Sequence, residues 1–379
     1  MRALKYQLIE SPDKLAGVIG VLESQDAVAV DLEADSMFHY KEKVCLIQIA
    51  TKNHSFVIDP LKIPDLSLLK PLFRNSKIQK IFHGGDYDVR SLYRDFNIVI
   101  QNMFDTQLAS RFLGDRSTGL EAVVHKRFNV KLNKKYQKKD WSERPLPEKM
   151  VEYAVRDTFY LLPLSEIMHK ELLEKGRLQW VKEECEILSR VRAMQNNGEP
   201  LFLKFKGAGR LSHRRLAVLE AILQFRKKVA EEKDRPLFKV FSNTSAMKLA
   251  VSKPKTLQEL KKSNTLSAKQ AKMYGPELVA FIREALSIPI EQLPSYPRKK
   301  APQLDPNVPK RVNALRNWRD SYAKKLNIDS SIITPKSIMT ALAIKKPQKI
   351  DDLDSIDELK NWQKKEFGNH ILDILNQCS

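Results

Sequence analysis

The chain has no apolar run long enough to cross a membrane. No stretch approaches the roughly 18 to 20 consecutive apolar residues that a transmembrane helix requires, although 42% of the 379 residues are hydrophobic. The first residues also lack the apolar segment and the cleavage site of a secretory signal. These absences predict a cytoplasmic protein that does not use a membrane.

Cysteine is scarce as well. Cys45, Cys185 and Cys378 are far apart, odd in number and without the spacing of a metal or redox motif. The pattern predicts reduced cysteines in a cytosolic protein.

Acidic residues are few in the second half of the chain. Residues 1–200 hold 31 Lys and Arg against 28 Asp and Glu, whereas residues 201–379 hold 35 against 18. The second half therefore carries +17 of the net charge of +20. So basic a half favours a polyanionic partner, since each neutralised phosphate releases condensed counterions. The alternative is that the lysines only keep a helical surface soluble.

The order of secondary structure divides the chain in two. Four β-rich runs are predicted as strands, at Ala27–Val30, Val44–Ala50, His54–Ile58 and Lys80–Phe82. The residues after Ala50 form a predicted hairpin connection, and the last strand leads through two glycines into a helix. From about residue 145 the pattern is helical. We therefore predict an α/β domain followed by an all-α remainder.

The helical remainder contains an internal repeat. A shift of 93 residues places Phe225-Arg226 on Trp318-Arg319 and Gly275 on Gly368. This single offset aligns aromatic and glycine positions over about 50 residues without a gap. Two helical modules of one fold are therefore predicted. The proline-rich stretch between them is the predicted linker.

Four carboxylates and one phenol form three clusters in the first half. They are Asp31 with Glu33 after an apolar run, Asp88 after two glycines, and Tyr153 four residues before Asp157. Residues two apart in a strand, or four apart on a helix, present their side chains on one side. Hard divalent cations prefer such carboxylate oxygens. Each cluster alone is typical of a solvated surface, but together they predict a metal-dependent nuclease site.

The clusters and their surroundings resemble the DEDD 3′→5′ exonucleases of the ribonuclease-H-like fold. The resemblance is to the subgroup with tyrosine in its third motif, and within it to the bacterial ribonuclease D branch. The matching segments are Val30-Asp-Leu-Glu33 with Cys45–Ile49, His83 with Asp88, Phe104–Gln107, Gly119-Leu120, Asp140–Leu146, and Tyr153 with Asp157. The two repeats resemble HRDC domains, which are helical nucleic-acid-binding modules with an aromatic-Arg signature.

The resemblance implies a mixed-sheet exonuclease domain followed by two helical HRDC-like domains. The implied boundaries are 1–205 for the exonuclease domain, 211–290 and 307–379 for the HRDC-like domains, and 291–306 for the linker. It also implies two Mg²⁺ or Mn²⁺ ions, about 3.5 to 4 Å apart, held by Asp31, Glu33, Asp88 and Asp157. Tyr153 is expected to orient the attacking water and to help take its proton. The implied protein is a monomer that trims structured RNA such as tRNA precursors from a free 3′ end, releasing nucleoside 5′-monophosphates.

Some residues keep two interpretations. Asp86 is a rival of Asp88 in the second motif, although the spacing from His83 favours Asp88. His83 is either a substrate contact or a structural residue at a strand end. The segment 126–139 has seven basic residues and no acid, which fits a phosphate-contacting rim or a solvated surface. Its candidate RNA contacts are Lys134, Lys135 and Lys138.

Three functions are compatible with these residues. They are an exoribonuclease, a nucleic-acid-binding scaffold with an inactive site, and a 3′→5′ exonuclease acting on single-stranded DNA. All five site positions carry the expected residue types, which favours an active enzyme. No residue can be assigned to the ribose 2′-hydroxyl, the group that distinguishes RNA from DNA. Phe225 and Trp318 are predicted to be core residues of the modules and not platforms for bases.

Overall fold

The computed structural model describes residues 5–193, 198–297 and 305–378. These residues form two compact units. The first unit contains the residues up to 34, those from 44 to 193, and those from 305 onward; the second contains 35–43 and 198–297. In the described ranges no helix is long and apolar enough to cross a membrane.

The α/β part of the first unit is built on one mixed six-stranded sheet, in the order β1-β4-β3-β2-β5-β6. The strands are β1 Gln7–Ile9, β2 Ala27–Ala34, β3 Val44–Ala50, β4 Ser55–Ile58, β5 Gln79–Phe82 and β6 Met103–Asp105. The β2–β3 and β3–β4 pairs are antiparallel, and the other pairs are parallel. The predicted mixed sheet and its hairpin after Ala50 are thereby confirmed.

The apolar run predicted that strand β2 stops at Asp31, but the strand continues to Ala34. Its antiparallel pairing with β3 places Asp31 opposite Gln48 and continues to Ala34 opposite Val44. The ladder of hydrogen bonds with a strand distant in sequence extends β2 beyond its apolar residues. Local hydrophobicity carries no information on such a pairing, which explains the error.

Different helices cover the two faces of the sheet. One face packs against α1 Pro12–Glu23, α2 Lys70–Arg74 and α3 Asp86–Phe96 in an apolar cluster. The opposite face packs against α6 Glu148–Phe159 and α7 Leu161–Glu174. The remaining helices of the α/β part are α4 Thr106–Leu113, α5 Leu120–Phe128 and α8 Leu178–Ser189.

Capping residues explain where the helices begin and end. Ser11 accepts a hydrogen bond from Lys14 N at 3.4 Å, and Pro12 follows in the first turn of α1, where its missing N–H has no cost. Helix α4 ends at Gly114, which has a φ of 87° that few other residues adopt.

The second unit contains the first repeat as a helical module with its own core. Its helices are α9 His213–Glu232, α10 Leu237–Val240, α11 Asn243–Ser252, α12 Leu257–Lys262 and α13 Ala268–Ser287. Phe225 is fully buried and stacks on Phe241 with ring centroids 6.5 Å apart. The segment 35–43 belongs to this unit, and its Tyr40 N donates to the Asp234 carboxylate at 3.0 Å.

The second repeat shares its core with the α/β part of the first unit. Its helices are α14 Val308–Leu326, α15 Ser330–Ile333, α16 Lys336–Lys345 and α17 Asn361–Gln377. Trp362 stacks on Trp180 of α8 with ring centroids 4.7 Å apart. The Lys360 ammonium donates to the Glu184 carboxylate at 2.6 Å. Trp318 is partly buried in the same apolar cluster, so the aromatic position of both repeats is a core position, as predicted.

The offset of 93 residues is also present in the three-dimensional structure. A Cβ added to Gly275 would lie 2.5 Å from Leu257 Cδ1, and one added to Gly368 would lie 2.9 Å from Ile350 Cδ1. Both contacts are related by the same offset. The glycines let two segments of each module approach closely, and a larger residue at either position would displace the facing leucine or isoleucine side chain.

Two further predictions concern the cysteines and the linker. All three cysteines are buried, and within the described residues none of them forms a disulfide. The basic stretch Arg298–Lys300 of the predicted linker lies outside the described residues. The boundaries 1–205, 211–290, 291–306 and 307–379 remain predictions.

Candidate active site

Strand β2 carries two carboxylates on the face of the sheet that α6 covers. Asp31 and Glu33 are two residues apart in extended backbone, so both side chains leave the same face. The register with β3 places Asp31 opposite Gln48 and Glu33 opposite Leu46. Strand β2 pairs with β5 at Ala27–Ala29 and with β3 from Ala29 to Ala34, so the segment that carries both carboxylates is held by β3.

A glycine turn positions the third carboxylate, Asp88. Gly84 has a φ of 72°, which favours glycine, and a Cβ added to Gly85 would lie 2.8 Å from Met103 Cε, so a larger residue there would displace that side chain. Asp105 holds the turn by accepting a hydrogen bond from Gly85 N at 2.7 Å. The turn leads into α3, and Asp88 is buried in its first turn, where the helix dipole favours a carboxylate.

Helix α6 carries the phenol and the fourth carboxylate. Tyr153 and Asp157 are one helical turn apart, and the hydroxyl hydrogen-bonds the carboxylate. The phenol ring packs against Trp141 and Tyr136, with centroid distances of 6.2 and 5.9 Å. Burial, followed by the charges of Asp157 and Glu33, raises the pKa of the Tyr153 hydroxyl above its ordinary value. The hydroxyl is therefore protonated at neutral pH and is a hydrogen-bond donor.

The strands and helices bring the carboxylates together. Ligand oxygens of Asp31, Glu33 and Asp157 lie within 4.8 Å of one another. Burial raises the pKa of both β2 carboxyls well above the usual range, and the charges of Asp88 and Asp157 raise them further. The ionised carboxylates repel one another, and bound divalent cations would relieve that repulsion. The donor set, made only of carboxylate oxygens, fits such hard cations.

The pKa values of the other two carboxyls rise for the same main reason. Burial raises the pKa of Asp88 to about 7, with the charge of Asp105 as the next cause. Burial also raises the pKa of Asp157 to about 7, against the opposing effects of the Tyr153 hydrogen bond and the Arg156 charge. Cation binding would therefore release protons near neutral pH.

The structure separates Asp86 from the carboxylate cluster. The Asp86 side chain is 57% exposed and forms an ion pair with Arg90, one turn further along α3, at 2.8 Å. Asp88 is buried, and its charge acts on Asp31 and Glu33. The geometry therefore agrees with the preference for Asp88 that the spacing indicated.

His83 lies at the end of β5 and is held by the protein. Its Nδ1 lies 2.9 Å from Thr106 Oγ1, which in turn donates to Phe82 O at 2.9 Å. Burial lowers the pKa of the imidazole, which favours its neutral form. This arrangement supports a structural role, and a contact with substrate remains a prediction.

The three candidate lysines lie on an exposed surface. Lys134 forms an ion pair with Glu121 at 2.9 Å, so its charge is partly used within the protein. The Lys135 ammonium lies 5.6 Å from the centroid of the Tyr136 ring. Lys138 is exposed to solvent. Lys135 is therefore the lysine of this group placed beside the aromatic residues that pack on Tyr153.

An ion pair behind the site was not predicted from the sequence. Arg144 donates to both carboxylate oxygens of Asp59 at 2.7 Å, and also to Cys45 O of β3 at 2.9 Å. This bidentate pair fixes the segment that contains Trp141, against which Tyr153 packs. The only signal in the sequence was that Arg144 falls within the segment Asp140–Leu146, which resembles a family signature.

Comparison with known proteins assigns the same architecture. A family model described as 3′-5′ exonuclease matches residues 6–173, and an HRDC domain model matches residues 215–282 and 309–375. The fold and the carboxylate cluster thus define a 3′→5′ exonuclease with two HRDC domains.

Curated relatives and a solved structure narrow the class. Ribonuclease D of Escherichia coli is 31% identical over 292 residues, which are 77% of this chain and 78% of the relative. Ribonuclease D of Haemophilus influenzae is 28% identical over 374 residues, 98% of this chain and 92% of the relative. The crystal structure of Escherichia coli RNase D, described as an exoribonuclease involved in structured RNA processing, is 26% identical, with a TM-score of 0.75 over 99% of both chains. The chain belongs to the ribonuclease D family of 3′→5′ exoribonucleases.

Proposed function

We propose that this protein trims the 3′ ends of structured RNA, such as tRNA precursors, and releases nucleoside 5′-monophosphates. The observation that carries the proposal is the half-buried cluster of Asp31, Glu33 and Asp157, with Asp88 close enough to raise the pKa of two of its members. The proposed cofactors are two Mg²⁺ or Mn²⁺ ions held by these four carboxylates. We further propose that the protein acts as a monomer in the cytoplasm.

In this mechanism the four carboxylates and Tyr153 have separate tasks. The four carboxylates would hold two divalent cations, which when bound would supply an activated water and charge stabilisation for the leaving 3′ oxygen. Asp31 and Glu33 would contribute their oxygens from strand β2, Asp88 from α3 and Asp157 from α6. Tyr153 directs its proton to Asp157, which leaves its oxygen free to accept a hydrogen bond from the attacking water. The phenol thus orients the water and helps to draw off its proton.

A pocket beside the cluster is the proposed path of the RNA strand. It has a volume of about 240 Å³ and reaches Tyr153 and Asp157. Its basic lining residues are Lys135, Lys149 and Arg156. Cations at this position fit the phosphates of the nucleotides next to the cleaved one. We propose Lys135 as a phosphate contact, with Lys134, Lys138 and His83 as further candidates.

The experiment that tests the proposal compares matched end-labelled RNA and DNA, with and without Mg²⁺. We expect stepwise shortening of RNA from its 3′ end, nucleoside 5′-monophosphates as products, and no reaction in excess EDTA. Products that carry 3′-phosphates, or activity that persists in EDTA, contradict the mechanism. Faster cleavage of DNA would assign the site to single-stranded DNA, and binding without cleavage would indicate a scaffold.

A further inference from the structure

Strand β3 contains one polar side chain that its surroundings do not explain. All seven residues of β3 are buried, and Gln48 stands in the middle of an otherwise apolar strand. Its side chain is 1% exposed. Within the described residues, neither its amide nitrogen nor its amide oxygen has a hydrogen-bond partner. A buried amide without hydrogen-bond partners lowers the stability of a fold. The presence of such an amide at this position therefore needs an explanation, and a functional role is one.

The pairing of the strands places Gln48 beside the carboxylate cluster. Gln48 is the direct cross-strand neighbour of Asp31, and residues directly opposite each other leave the same face of a sheet. Its neighbour on the other side, Val57, packs in the cluster that also contains Ala154 and Val155 of α6. The amide is therefore enclosed between Asp31 and the helix that carries Tyr153 and Asp157.

The chemistry of an amide suits this position. Gln48 can donate an N–H to a carboxylate oxygen and thereby fix the orientation of that carboxylate. The amide is neutral, so it leaves the negative charge of Asp31 available for a cation. A lysine or arginine would neutralise that charge, and an apolar residue would leave the carboxylate free to rotate.

We infer that Gln48 is a positioning residue whose unpartnered amide donates to the Asp31 carboxylate when a divalent cation binds, and thereby orients that carboxylate for the cation. The inference rests on the proposed metal site. Groups that hydrogen-bond to metal ligands commonly change metal affinity by 10- to 100-fold when they are removed. The Gln48→Met variant tests this role, because methionine fills a similar volume but has no amide group.

The test measures binding of Mn²⁺ alone by calorimetry, in the full-length protein without RNA. Gln48→Met should weaken Mn²⁺ binding about tenfold or more. The melting temperature without metal should stay the same or rise, because an unpartnered buried amide is removed. Leu46→Met is the matched control, since Leu46 lies on the same strand and face opposite Glu33 and has no amide to lose.

Two outcomes separate this inference from the function on which it rests. If the wild-type protein does not bind Mn²⁺, or if Asp31→Asn leaves binding unchanged, the proposed metal site itself is wrong. If the wild type binds Mn²⁺ and Gln48→Met binds within about twofold of it, only the role of Gln48 is overturned. Should Gln48→Met fold poorly, Gln48→Leu provides a second variant without an amide and is judged by the same affinity ratio.

Discussion

The two faces of strand β2 carry side chains of opposite kinds, one apolar and buried, the other acidic and half-buried. Val28, Val30 and Leu32 point into an apolar cluster with α1, α2 and α3. Asp31 and Glu33, at the alternate positions of the strand, point towards α6 and are half-buried beside the carboxylates of Asp88 and Asp157. Adjacent residues of one strand therefore belong to two environments, one that stabilises the fold and one that opposes it.

The difference between the faces has a physical meaning. Burying an apolar side chain contributes roughly 1.5 to 3 kcal/mol, whereas burying carboxylates that repel one another is unfavourable unless a cation joins them. Burial of the apolar face thus offsets the unfavourable free energy of bringing the carboxylates of the other face together. Substitutions on the two faces should consequently separate stability from activity.

The largest expected effect is the loss of turnover in Asp31→Asn. Removal of a ligand charge weakens cation binding, and the charge stabilisation that cations supply amounts to several kcal/mol, so kcat should fall by about 10³ or more. RNA affinity and the melting temperature without metal should not decrease. Single-turnover cleavage, RNA binding and thermal melting check these points. Asp86→Asn is the matched control, and equal rates for both variants would place the site elsewhere.

The next effect belongs to the apolar face. Ile49 is fully buried on β3 opposite Val30. Ile49→Ala leaves a cavity and should lower the free energy of unfolding by about 2 to 5 kcal/mol. At a temperature where the variant is folded, kcat and Mn²⁺ affinity should match the wild type. Denaturant titrations and cleavage rates test the prediction. A fall of kcat without loss of stability would contradict the proposal that the apolar face serves stability and the carboxylate face serves activity.

The sequence predicted the residues of the carboxylate face but not their arrangement in space. The residues of the carboxylate face could be predicted because Asp31, Glu33 and Asp157 occur in recognisable local motifs. Their geometry could not be predicted, since the extension of β2 and the burial of Gln48 depend on pairing with β3.

The core of the second repeat was hidden for a related reason. Trp180 gave no signal in the sequence, yet it stacks on Trp362, a residue 182 positions further along the chain. Local periodicity reports which residues are buried, but it does not report against what they pack. The sequence predicted two modules of one fold, and the second one shares its core with α8.

A smaller effect is expected for the phenol on α6. Tyr153→Phe keeps the ring that packs on Trp141 and removes the hydroxyl bonded to Asp157. We expect kcat to fall by roughly 10², the scale of a positioned proton-transfer group, with little change in RNA affinity. Tyr160→Phe is the control, because Tyr160 ends α6 and packs on Phe128, with ring centroids 5.7 Å apart, outside the carboxylate cluster. A loss below about threefold would reassign Tyr153 to packing.

The smallest effect concerns pH. In the metal-free protein Asp88 and Asp157 have pKa values of about 7, above the ordinary value of about 3.9 for an unfolded chain. The folded state therefore binds protons more tightly than the unfolded state between these values. The stability that these protons provide is present below about pH 4 and is lost as the pH rises through 7.

Cations compete with the same protons, so their effect on stability should have the opposite dependence on pH. The rise in melting temperature at a fixed Mg²⁺ concentration should be small at pH 5.5, increase through pH 7 and level off above pH 8. Ile49→Ala should keep this profile at a lower melting temperature, because it leaves the carboxylate face intact. Asp31→Asn should flatten it, because it removes a ligand of the cation. Thermal melting of the three proteins across this range decides the point, and a metal-induced shift independent of pH would mean that the cation binds away from the buried carboxylates.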